Sequence, residues 1–319
     1  MTQLPILLAA LAAAAPGIAQ EFPARTVRIV APFAAGGGGD VNARRLAERL
    51  TRAWGKSVVV ENVTGAAGNV GAAAVAKAAP DGHTLIFASH PILTANQWLY
   101  PRLPFDADKD FAPVIHVSDT PHVLLAHPAL PAASLAQLIA LAKRRPGELA
   151  FGSGGAGTST HLATELLKVT AGIDLVHVPY RGAAPAVTAL MSGEVQLLFD
   201  SATTAIGHVR GKRVHGIAVA SAATLPALPE VPTFAAAGLR DFTAGVSHGI
   251  LAPAATPAAV IALLNREINQ QLNTQDYRSQ MAELGVQLVG GTPGAFRDYL
   301  AAERRKWGSI IRSQGLRTE

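Results

Sequence analysis

The sequence predicts an α/β protein of two lobes, each an open sheet flanked by helices, with two chain crossings between them acting as a hinge. Three observations lead there. The chain has 319 residues, and single cores stop growing near roughly 250 to 300 residues. Short β-branched runs alternate with helix-period segments in two successive series. Each series also contains a strand that runs directly into a glycine-rich loop and then into a helix.

In the first series Val27–Pro32 reads as a strand, Val41–Trp54 as a helix, Ser57–Glu61 as a strand and Gly68–Ala79 as an alanine-rich helix. Thr84–Ser89 and Pro113–Val117 supply two more strands, and Val123–Ala126 opens the second series. There Ser134 caps a helix through Arg145, Pro146-Gly147 breaks it, and Glu148–Phe151 is a strand leading into Gly152–Gly157. A helix over Thr158–Thr170, strand Leu175–Val178, helix Ala183–Met191 and strands Val195–Phe199 and Val214–Ala220 follow. The tail holds a short strand at Gly249–Ala252 and helices at Ala258–Leu272, Gln275–Leu284 and Pro293–Ser313. With little strand between them, these helices need a sheet to cover, which makes the first lobe discontinuous. The expected lobes are 22–121 plus 250–319, enclosing 122–249.

Composition narrows the function. Apolar residues make up 49% of the chain and charged residues only 15%, as in a globular protein. The one continuous apolar stretch, Leu4–Ala15, precedes small residues suited to cleavage after Ala19, so residues 1–19 read as a signal peptide despite lacking Lys or Arg. The chain contains no cysteine, which excludes disulfides, thiolate metal sites, a cysteine nucleophile and a lipoprotein anchor. A formal charge of +5 suits anionic ligands, but no basic run interleaved with aromatics points to nucleic acid.

Chemistry concentrates in the glycine loops. Phe33-Ala34-Ala35-Gly36-Gly37-Gly38-Gly39-Asp40 joins a strand to a helix, where ligands of open α/β sheets bind. Glycines bring backbone N–H groups close to a ligand, and a helix start adds unpaired N–H groups and a positive dipole end. Asp40 either caps the helix or touches the ligand. The second loop, Gly152-Ser153-Gly154-Gly155-Ala156-Gly157-Thr158-Ser159-Thr160-His161, offers hydroxyls to a carboxylate; Thr158 or Ser159 alternatively caps the helix, and His161 alternatively packs between lobes. Other strand ends add Ser89, His90, Tyr180, Arg181, Asp200 and Ser201. Arg181 either neutralises an anion or pairs with a surface acid, and Asp200 either serves the ligand or makes a structural hydrogen bond.

Enzyme readings fail on these residues. Gly152, Gly154 and Gly157 fit G-x-G-x-x-G, but Asp174 precedes the next strand, whereas a ribose-binding acid sits at that strand's far end. A G-x-S-x-G elbow would need glycine at Phe151. No catalytic residue, metal site or cofactor is expected.

The chain resembles the Bug family of extracytoplasmic solute receptors, which serve tripartite tricarboxylate transporters. The resemblance rests on Val30-Ala31-Pro32-Phe33 with Gly36-Gly37 and Asp40, Val59-Val60-Glu61-Asn62, Ala79-Pro80-Asp81-Gly82, Val178-Pro179-Tyr180-Arg181-Gly182, Leu228-Pro229-Glu230-Val231-Pro232-Thr233 and Gly290-Gly291-Thr292-Pro293, among other ordered blocks. It implies a periplasmic-binding-protein clamshell in the periplasm, a small organic anion such as a carboxylate as ligand, integral-membrane permease subunits as partners, and no catalysis. A monomer is expected. Carried over by position, the ligand-binding residues are Phe33, Ala34, Ala35, Gly36, Gly37, Asp40, Ser89, Ser153, Gly157, Thr158, Ser159 and Asp200. Ala156, Gln196 and His248 depart from the family's common Asn, Asp and aromatic residue, which leaves the identity of the ligand open. A sensor that presents its closed form to a membrane signalling partner is the alternative.

Overall fold

A computed structural model describes residues 22–240, 242–313 and 315–317, so the signal-peptide expectation lies outside the described residues. The strands are β1 (Val27–Ala31), β2 (Val58–Asn62), β3 (Thr84–Ser89), β4 (Phe111–Ala126), β5 (Ala150–Ser153), β6 (Val176–Pro179), β7 (Leu197–Ser201), β8 (His215–Val219), β9 (Gly245–Pro253) and β10 (Gln287–Leu288). The helices are α1 (Gly38–Trp54), α2 (Asn69–Ala76), α3 (His90–Thr94), α4 (Asn96–Leu99), α5 (Leu135–Arg144), α6 (Ser159–Ala171), α7 (Ala183–Ser192), α8 (Ala202–Arg210), α9 (Ala258–Leu272), α10 (Gln275–Glu283) and α11 (Pro293–Ser313).

The first sheet has the order β2-β1-β3-β9-β4, with β10 also on β4; β1 runs parallel to β2 and β3, and β9 antiparallel to β3 and β4. The second starts from the far end of β4, which pairs antiparallel with β7 and β8, while β5 lies parallel to β6 and β7. The expected strands at Pro113–Val117 and Val123–Ala126 are therefore one strand. Ser118, Thr120 and His122, left outside both expected strands, are all buried where β4 passes from one sheet to the other. Shifts of register between Pro113 and Ile115 and between His116 and Ser118 bend the strand there. The return strand β9 is likewise longer than Gly249–Ala252, beginning at Gly245 opposite Pro121. Helix α8 was missing from the sequence expectation, because Ala202–Arg210 carries few apolar residues to set a period.

Each sheet has its own packed faces. Leu264, Ile268, Leu272, Tyr277 and Met281 of α9 and α10 share a core with Val27, Ile29, Leu50 and Leu85, so the tail helices do cover the first sheet. Phe151, Phe199, Phe234 and Phe242 centre the core of the second, with ring centroids of Phe234 and Phe242 4.2 Å apart. No described helix is long and apolar enough to cross a membrane.

Replacing the fully buried Leu264 by alanine is expected to cost roughly 2 to 5 kcal/mol of stability. Urea denaturation checks this, with the far-UV circular dichroism of the folded protein unchanged.

Candidate functional site

A cavity of about 410 Å³ lies between the two sheets. Its wall is made where strands give way to helices: α1 follows β1, α6 follows β5, α7 follows β6 and α8 follows β7. The residues preceding these four helices, Gly37, Thr158, Gly182 and Ser201, all line the cavity, and none closes its helix with a side-chain hydrogen bond. On α5, which is remote from the cavity, Ser134 does accept from the Gln137 N–H. First-turn N–H groups have no partner within a helix. Four positive helix ends thus point their unmet donors into one space, which is the arrangement that holds an anion.

The expected site residues divide. Phe33, Ala34, Gly37, Ser89, Thr158, Ser159 and Asp200 lie on the cavity wall, whereas Ala35, Gly36, Asp40, Ser153 and Gly157 do not. Asp40 shows why. Helix α1 starts at Gly38, earlier than the expected Val41, so Asp40 falls in its first turn instead of capping it. The Asp40 carboxylate accepts from the Gly36 N–H at 3.0 Å, from Arg44 at 3.0 Å and from Asn62 at 2.8 Å, and Asn62 also donates to the Phe33 carbonyl. Burial raises its pKa, but the bonds from Arg44, Gly36 and Asn62 outweigh that and hold the carboxyl below the usual range. Asp40 locks the first loop from behind.

The second loop is braced in the same way. The Gly154 N–H donates to Thr160 Oγ1, the Gly155 N–H to Ser153 Oγ and the Gly157 N–H to His161 Nδ1, each at 3.1 Å. Ser153 Oγ also lies 2.6 Å from His177 Nε2, and His177 stacks on His161 with centroids 4.2 Å apart. The loop therefore spends most of its amides on itself. What it leaves for a ligand is the Ser159 hydroxyl and the first-turn N–H groups of α6. His161, with Gly157, Phe151 and His177 as partners, supports this loop. Thr158 donates its hydroxyl to the Gly155 carbonyl at 2.7 Å and so does not cap α6.

Two parts of the wall, Thr64–Gly68 and His122, were not singled out by the sequence, whereas His248 was, as a departure from the family pattern. Thr64–Gly68 closes one side after β2, and the rule that placed the other loops, binding at strand ends, applied there too. His122 from β4 and His248 from β9 line the floor and are almost fully buried. His248 stacks on Phe87 at 4.9 Å and meets Phe33 edge-on at 5.5 Å. Arg181 is exposed on the rim and makes no ion pair among the described residues.

The lobes touch across the cavity. Tyr100 donates its hydroxyl to the Ala156 carbonyl at 3.2 Å, and a Cβ added to Gly38 would stand 2.7 Å from Ser201 Oγ. This is a closed geometry, with the helix ends of both lobes around a shared space.

Fold and cavity together define a two-lobed solute-binding protein. The chain belongs to the TctC family, the tripartite tricarboxylate transporter family receptors, whose model matches residues 42–316. It is 36% identical over 313 residues to the protein BugT of Bordetella pertussis, covering 98% of this chain and 96% of that one. Among solved structures it is similar to R. palustris Rpa4515 with adipate (TM-score 0.91, 32% identity, 93% of this chain and 100% of that one). It is also similar to MatC from Rhodopseudomonas palustris with bound malate (TM-score 0.85, 32% identity, 91% and 100%).

The buried histidines set the acid response. Burial, first of all, lowers the pKa of His90, His161 and His248 to about 3 and of His122 and His177 to about 4. All five are neutral in the fold and protonate below pH 6.5 once unfolded, so their contribution is intact above pH 6.5 and drains away as pH falls toward 3 to 4. Asp200 has the opposite sign: burial raises it to about 6, so its folded form gains a relative advantage as pH falls from 6 to 3.8. Five histidines outweigh one acid. The melting temperature is expected to drop steadily from pH 6.5 to pH 4.5, and His122→Asn is expected to make that drop shallower; calorimetric melts across this range check both.

Proposed function

We propose that this protein is a periplasmic receptor that captures a small organic carboxylate between its lobes and delivers it to integral-membrane permease subunits of a tripartite transporter. The observation that carries this reading is the convergence of the α1, α6, α7 and α8 N-termini on one cavity. Each contributes about 0.3 to 1 kcal/mol per ligand charge when exposed and up to about 2 when partly buried. Similarity to relatives holding adipate and malate supports a carboxylate as the charged group. The ligand-binding residues are then the wall-lining Phe33, Ala34, Gly37, Ser89, Thr158, Ser159 and Asp200, joined by Gly38, Gly39, Ser201 and His248. Ala35, Gly36, Asp40, Ser153 and Gly157 act behind them by fixing the two loops.

The lobes are residues 22–121 with 245–317, and 122–244, and the receptor works as a monomer. Release requires them to part about β4 and β9, so ligand stabilises the closed form by binding it better than the open one. No reaction is called for. The Ser153–His177 pair resembles a nucleophile and its base, but Ser153 is fully buried, stands off the cavity and already accepts from the Gly155 N–H.

Two measurements test this. In a thermal-shift screen of mono-, di- and tricarboxylates, a cognate ligand at 100 times its Kd is expected to add about 2.7 kcal/mol of stability; no shift from any carboxylate contradicts the reading. Closure itself is tested at Gly38, where a methyl group would meet Ser201, against Gly37, where the nearest atom would be 3.5 Å away. By calorimetry, Gly38→Ala is expected to weaken ligand binding by about ten-fold or more, with Gly37→Ala close to the parent protein. Equal affinities for the two variants would show that the lobes do not close on the ligand in this way.

A further inference from the structure

The cavity that gathers four helix N-termini also holds one acid. Asp200, at the end of β7, is 1% exposed and lies on the wall. Its Oδ1 accepts from the Ser201 N–H at 2.9 Å and its Oδ2 from the Thr204 hydroxyl at 2.6 Å, yet it forms no ion pair among the described residues. A carboxylate oxygen has room for a second donor beyond the one it already takes. Burying such a group without a cation costs several kcal/mol unless a ligand completes its surroundings. In a receptor for purely anionic cargo, an acid at this place would repel the very charge that the helix ends attract.

Its neighbours share the unfinished state. His122 directly follows Pro121, the last residue of β4 paired with β9, and is in register with Ser201 on β7. Nδ1 of His248 and Oγ of Ser201 are buried with no protein partner, His122 faces the Asp200 backbone with its ring and keeps a second nitrogen for a ligand, and all three residues line the same cavity. Native structures rarely leave buried polar atoms unpaired, and each one asks for an explanation. Neutral imidazole and hydroxyl groups both donate and accept, whereas Asp200 only accepts. Together they are matched to a polar ligand group that carries hydrogen, not to a second carboxylate.

Resting on the proposed carboxylate reading, we infer that the cargo is a bifunctional acid, a carboxylate that also carries a hydrogen-bond donor, hydroxyl or ammonium, and that Asp200 with His122 selects for that donor. The helix ends take the carboxylate, and the Asp200 side of the cavity takes the donor. Arg181, the only Lys or Arg on the wall among the described residues, stands on the rim and leaves the floor to these groups. Burial holds the Asp200 carboxyl above the usual range, at about 6, so it is predominantly ionised at neutral pH and attracts a donor most strongly there.

The test is a calorimetric comparison of matched acids on the full receptor: butanoate with 3-hydroxybutanoate and 3-aminobutanoate, and succinate with malate and aspartate. At least one hydroxy or amino member is expected to bind about ten-fold or more tightly than its unsubstituted partner, the scale of one charge-assisted hydrogen bond. Asp200→Asn keeps the size and an acceptor oxygen but removes the charge. It is expected to shrink that preference, read as the ratio of the two affinities, to within about three-fold. Unsubstituted acids that bind as tightly as their substituted partners in both series overturn the inference and leave the carboxylate receptor standing. A preference that survives Asp200→Asn intact also overturns it, since the discrimination then lies elsewhere. Loss of binding for every acid tested would remove the carboxylate reading and this inference with it.

Discussion

Everything in this molecule turns on the unmet N–H donors at helix starts. A helix cannot satisfy its own first turn, and a parallel β-α unit always places that turn at the carboxyl end of a strand. Both sheets contain parallel units, β1, β2 and β3 in one and β5, β6 and β7 in the other. Because β4 and β9 carry the chain between sheets as a paired ribbon that reaches Pro121 and Gly245, the two sets of helix ends face each other. The anion-binding cavity follows from topology before any side chain is chosen.

Side chains then decide how firmly the donors are held. Asp40, Arg44 and Asn62 fix the first loop, and Ser153, Thr160, His161 and His177 fix the second. All but Thr160, which also lines the cavity, stand behind it and touch the loops, not the ligand space. A pre-set cradle loses less freedom when it binds, which is where affinity beyond contact area comes from. The same need explains His161, which accepts the Gly157 N–H only while unprotonated, so the binding frame and part of the acid stability of the fold rest on the same residue.

Much of this was legible in the sequence, for physical reasons. Glycine runs after strands, such as Phe33–Gly39, announced the loops, and the extents of α9 and α11 followed from apolar period and flanking proline or glycine. Local pattern failed where tertiary pairing overrode it. Ser118 to His122 were left outside both expected strands, yet long-range partners, β9 and β7, keep them in strand. Asp40 looked like a helix cap because glycines give no sign of where a helix starts; the helix began inside the glycine run, and the carboxylate turned back to Gly36. His122, contributed by a strand interior, carries no local mark of a cavity wall, and only the arrangement of β4 against β7 brings it there.

The most direct test of the central claim is to watch the helix-start amides themselves. In a titration of isotope-labelled receptor with a carboxylate that binds, the ¹H–¹⁵N signals of Gly38, Gly39, Ser159 and Thr160 are predicted to move together, their protons shifting downfield as they take on a charged acceptor. Amides of α9 and α10, on the outer face of the first sheet, are predicted to stay in place. Binding that leaves the four helix-start signals unmoved would contradict the account, because the ligand would then be held somewhere other than at the helix ends.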